Sequence, residues 1–92
     1  MEFRISLHSG FAAPANALEL LSEQLGASRD GARFATTGTE IRASLTEDGP
    51  VSMERDERED IGRRAVLEIV REVCERAPVL EPDWFAVSTR RS

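Results

Sequence analysis

Apolar and polar side chains alternate from the start of this chain. Phe3, Ile5 and Leu7 fall on one side of an extended segment, and Glu2, Arg4, Ser6 and His8 on the other. That period of two predicts a half-buried strand over 2–8, broken at Ser9-Gly10. The period then changes. Leu18, Leu21 and Leu25, backed by Leu20, recur at helical spacing, with Pro14 suited to the first turn and Gly26 to the stop, so a helix is expected from about 14 to 25. Residues 27–31 read as a loop. Two short runs then meet at Thr37-Gly38. With those two residues as the turn, Phe34 opposes Ile41, Ala32 opposes Ala43, and Arg33 opposes Arg42; a shift of one would split the apolar set across both faces.

The strongest pattern lies further on. Val66, Ile69, Val70, Val73 and Ala77, flanked by Leu67 and Cys74, form one face of a helix spanning Asp56 to Ala77. Opposite charges stand four apart on its other side: Glu59 with Arg63, Asp60 with Arg64, Arg71 with Glu75 and Glu72 with Arg76. Pro78 ends it. Burial of Val66, Ile69, Val70 and Val73 would contribute roughly 1.5–3 kcal/mol each as an upper estimate, which identifies this helix as core. A last strand follows over 84–89, with Phe85 and Val87 on one side and Trp84, Ala86 and Ser88 on the other. Trp84 is then an interface anchor on the open face of the sheet or, with the opposite phase, part of the core.

The order β-α-β-β-α-β predicts one α+β domain over 1–92, a ferredoxin-like sandwich of four antiparallel strands with both helices on one face. Right-handed crossovers place the first and third strands in the centre. A flexible acidic loop over about 47–60 and a frayed tail at 90–92 are expected. One end of the sheet would gather the loop after His8, the hairpin tip and the approach to Trp84. The helix-free face would carry Arg4, Ser6, His8, Arg33, Arg42 and Ser44, with Glu2 and Glu40 able to neutralise some of the arginines.

Composition sharpens this picture. Net charge is −5, and the segment from Glu47 to Asp60, with seven acids and two arginines, carries all of it. That block is a poor surface for nucleic acid. All twelve cations are arginines, so the chain has planar guanidiniums that suit paired contacts with carboxylates and has no lysine chemistry. The single cysteine, Cys74, fits a reducing compartment and reads as a small buried hydrophobe. The first ten residues lack the apolar run of a signal peptide, and no stretch reaches the length of a membrane span, so a cytoplasmic protein is expected.

No motif identifies a reaction or a cofactor. Ser9, His8 and Asp83 can be written as a nucleophilic set, but no G-x-S-x-G elbow surrounds the serine. The acids of the 47–60 block lack calcium-loop spacing, and one histidine with one cysteine makes no transition-metal site. RNA-binding domains of this topology stack bases on aromatic residues of the central strands. Those positions here hold Arg4, Ser6, Arg42 and Ser44. The expectation is a non-enzymatic domain acting through protein contacts, with a homodimer through the open sheet face as the first candidate. Arg4, His8, Arg33, Arg42 and Trp84 are the binding residues. The alternative is a small anionic ligand, or a small enzyme, using the His8/Trp84/Asp83 end.

Overall fold

The computed structural model describes residues 1–10, 12–45 and 55–89. Strand β1 (Glu2–Leu7) leads to helix α1 (Ala17–Leu25), then to β2 (Ser28–Arg29), β3 (Ala32–Thr37) and β4 (Glu40–Leu45). Helix α2 (Arg55–Arg76), a single 3₁₀ turn (Pro82–Trp84) and β5 (Phe85–Thr89) are the remaining described elements. The sheet is antiparallel, in the order β2-β3-β4-β1-β5. Its two central long strands are the first strand and the second arm of the hairpin, as the crossover rule requires.

Among the described residues five strands replace the expected four. Residues 27–31, expected as a loop, form the first arm and turn of a hairpin, with Ser28 opposite Arg33 and Arg29 opposite Ala32. Asp30 and Gly31 both have positive φ, 50° and 82°, which is the type I′ requirement, and Asp-Gly is among the dipeptides that best satisfy it. The second hairpin corrects the expected register. Gly38 and Thr39 form its turn, so Phe34 opposes Ala43, Thr36 opposes Ile41, and Arg33 opposes Ser44 rather than Arg42. Gly38 has φ 56°. A glycine at the first central position suits a type II′ turn, whereas a turn on Thr37-Gly38 would force a β-branched residue to positive φ. The register moves by two residues, which leaves each side chain on its expected face.

One hydrophobic cluster joins sheet and helices. Phe3, Ile5, Ile41, Ala43 and Phe85 from the sheet pack with Leu18, Leu21 and Leu25 of α1 and Val66, Ile69, Val70, Val73 and Cys74 of α2. The two helices also touch each other, so both lie on the same face. Burial pushes the Cys74 thiol up from its ordinary value, in keeping with a packing role. Helix α1 starts at Ala17, later than Pro14, which instead closes a preceding turn by accepting the Ala17 N–H at 3.1 Å.

Helix α2 starts at Arg55, one residue before the expected Asp56, so the acidic residues over 55–60 belong to the helix and not to the loop expected to reach about 60. The remainder of the expected loop and the expected tail lie outside the described residues. Asp60 binds both Arg63 at 2.9 Å and Arg64 at 3.1 Å. Among the described residues no ion pair forms at the Arg71–Glu75 or Glu72–Arg76 spacing. Gly62 was not singled out by the apolar pattern, yet it is buried against β1: a Cβ there would stand 2.5 Å from Phe3 Cζ and 2.9 Å from Cε2. No described helix is long and apolar enough to cross a membrane.

Candidate functional site

Strand alternation decides what the helix-free face presents. Phe3, Ile5, Ile41 and Ala43 point into the core, so their neighbours Glu2, Arg4, Ser6, Glu40, Arg42 and Ser44 point away from it. Arg33, Ala35 and Thr37 join them from β3, and Ala86 and Ser88 from β5. No described element packs over this face.

Arg4 and Arg42 stand directly opposite each other on the two central strands. Like charges in that arrangement repel modestly. Glu40 relieves part of the repulsion: its Oε2 lies 2.6 Å from Arg4 Nε, with side chains 20% and 48% exposed for glutamate and arginine. An ion pair this open is worth roughly 0.2–1 kcal/mol. Arg42 is placed differently. It is half-buried, and its Nε is shielded from solvent with no hydrogen-bond partner among the described residues. A desolvated donor left unmade costs about 1–3 kcal/mol. Arg33 is exposed on the same face, between Ser28 and Ser44 and diagonal to Arg42. The three arginines expected to share a surface do share it, although the Arg42 partner across the strands is Arg4, not Arg33.

His8 and Trp84 sit elsewhere, at the end of the sheet. The His8 N–H donates to the Trp84 carbonyl at 2.7 Å. The His8 Nδ1 accepts the Gly10 N–H at 3.0 Å, which fixes Nδ1 as an acceptor. A Ser-His-Asp set needs Nδ1 to donate to the carboxylate, so Ser9, His8 and Asp83 do not form one in this arrangement. Trp84 belongs to the 3₁₀ turn, where strand alternation does not apply. It is half-buried against the core, with its ring edge-on to Phe85 at 6.5 Å between centroids. It therefore does not stand on the open face as an exposed anchor. The reading of Phe85 as core holds, since that side chain is 4% exposed.

The same end of the sheet holds an open groove of about 610 Å³, lined by Ser6, Leu7, Asn16, Glu19, Thr36 and Thr39 among others. Glu19 is the charged group on its wall. Neither His8 nor Trp84 lines it. Asn16 flanks α1 without a side-chain capping bond, and the Thr36 hydroxyl is bonded to that of Ser22. Sequence periodicity gave no hint of this groove, because the hairpin tip and the start of α1 meet only through the topology. Among the described residues no group of three or more His, Cys, Asp or Glu side chains is placed to hold a metal ion.

Comparisons with protein-family models, curated proteins and solved structures find no match to this chain.

Proposed function

We propose that this chain is a small non-enzymatic interaction domain, built on a ferredoxin-like sandwich with β2 added at one edge, that docks through its open sheet face. The fold reading rests on the order β3-β4-β1-β5 of the long strands, with both helices on one side. The functional reading rests on one observation, the Arg42 guanidinium. It is half-buried at the centre of a face that no described element covers, beside a second arginine, with a desolvated Nε that has no acceptor among the described residues. A carboxylate delivered by a docking protein would draw the Arg42 guanidinium out of this unsatisfied pose, pair with it, and offset the Arg4–Arg42 repulsion. The first candidate partner is a second copy, because the face also carries Glu2 and Glu40 and is thus able to complement itself across a two-fold axis.

Sedimentation of the wild type against Arg42→Glu tests this, with Arg71→Glu on the exposed side of α2 as control. Loss of association in the first variant and not in the second supports the reading. Equal behaviour of all three proteins would overturn it.

The groove supports a second reading, a small polar ligand at the sheet end. Its carboxylate lining favours a neutral or cationic hydroxylated compound over the anionic ligand expected from the sequence. Shifts of the Gly38 and Thr39 amides in a metabolite screen would support it, and an unmoved spectrum would count against it.

A further inference from the structure

The two edges of this sheet are finished in different ways. On one side the outermost strand, β2, is only two residues long and turns back tightly through Asp30-Gly31. Beyond it the Phe34 N–H is satisfied by the Ala27 carbonyl at 2.9 Å. That edge is blunted by its own brevity.

The other edge is β5, with five residues, Phe85 to Thr89, and none of the usual protection. It contains no proline, no charge and no positive-φ kink. Which of its backbone groups are free follows from the pairing. The bond from the His8 N–H to the Trp84 carbonyl makes that pair a hydrogen-bonded one. In an antiparallel ladder such pairs alternate. Ser6–Ala86 and Arg4–Ser88 therefore exchange hydrogen bonds, and Phe85, Val87 and Thr89 direct their N–H and C=O groups away from β1. The Phe85 N–H is taken by the Pro82 carbonyl. The Val87 and Thr89 N–H groups and the Phe85, Val87 and Thr89 carbonyls remain, facing no described strand.

We infer that β5 is a strand-addition edge and that its partner is the β5 of a second copy, paired antiparallel about a two-fold axis at Val87. The sequence of the edge is its own complement in that register. Phe85 meets Thr89, Ala86 meets Ser88, and Val87 meets Val87, so no charge opposes a like charge and the core-facing side chains stay on one face. Each Val87 N–H donates to the Val87 carbonyl of the other copy, and each Thr89 N–H to the Phe85 carbonyl of the other copy. The two sheets become one sheet of ten strands with all helices on one side. This edge is a surface separate from the open face, and either can operate without the other.

The test is amide hydrogen exchange of the full chain at low and high concentration, with sedimentation run alongside. Concentrating the protein should slow exchange at Val87 and Thr89 at least tenfold as the mass rises above the 10.2 kDa monomer. Residues 74–92 can be supplied as a synthetic peptide joined at Cys74, carrying N-methyl-Val87. That change deletes one outward donor and no bond to β1, so it should abolish both effects and leave core amides such as Val70 protected. A raised mass with both amides unprotected assigns association to another surface: it overturns the edge and leaves the open-face reading standing. A monomer at every concentration overturns the edge. So does protection already present in the dilute monomer, because the chain then covers its own edge.

Discussion

Gly62 gives the sharpest test of how the helices sit on the sheet. Replacing it with alanine sets two effects of opposite sign against each other. Alanine is favoured over glycine within a helix by about 1 kcal/mol. The added Cβ, however, would stand 2.5 Å from Phe3 Cζ, where ordinary contacts begin near 3.4 Å. The Phe3 ring cannot retreat easily, because it is fully buried and its strand is paired on both sides, with Ala43 and with Thr89. Helix α2 must therefore lift by about 1 Å, and overpacking of this kind costs about 1–3 kcal/mol. Gly62→Ala should accordingly be destabilising, by up to about 2 kcal/mol once the helix preference is subtracted.

In a Phe3→Leu background the Cε2 and Cζ atoms are gone, and the same change should stabilise by up to about 1 kcal/mol. Urea denaturation followed through Trp84 fluorescence measures all four corners of the cycle, with constant m as the check on two-state behaviour. The coupling energy should be about 1–3 kcal/mol. Equal effects of Gly62→Ala in both backgrounds, or stabilisation in the wild type, would refute the close approach of α2 to β1.

Two further outcomes follow from the described geometry. The hydrogen bond from Arg63, aided by the Arg64 and Arg63 charges and opposed by partial desolvation, holds the Asp60 carboxyl below its usual 3.8. A depressed folded-state value means that the stabilisation is complete above 3.8 and is lost as pH falls through the lower folded value. The Asp60 carboxyl carbon shift should report that midpoint, with the start of α2 loosening in step; a midpoint at or above 3.8 would contradict it. Gly31→Ala should destabilise by about 1 kcal/mol through backbone strain alone, since its φ is 82° and nothing lies within 4 Å of the new methyl. Faster exchange at the Phe34 amide should accompany it, and unchanged stability would argue against the type I′ turn.

The parts of the fold written in long periods were legible in the sequence. Phe3, Ile5 and Leu7 announced β1, and Val66 to Ala77 announced the buried side of α2. The open-face membership of Arg4, Arg33 and Arg42 survived a wrong register because slippage by an even number preserves faces. Short-range turn chemistry was less legible. The hairpin dipeptide Asp30-Gly31 stands after a run with no apolar alternation, and Gly38 takes the first central place of its turn where apolar pairing favours the second. Other features had no local signature at all. The Phe3–Gly62 contact joins opposite ends of the chain, the groove assembles from the hairpin tip and the start of α1, and the 3₁₀ turn at Pro82 removed Trp84 from the strand's alternation.

The central proposal is that the face bearing Arg4 and Arg42 is where this domain meets a second copy of itself. Ala35 offers a direct probe, since its exposed methyl lies on that face opposite Arg42 and far from β5. Ala65, exposed on α2, is the matching control on the other side. In a mixture of isotope-labelled and unlabelled chains, the account predicts intermolecular NOEs at the Ala35 methyl and none at Ala65. Cross-peaks confined to Ala65, or a concentrated sample in which Ala35 shows none, would contradict it.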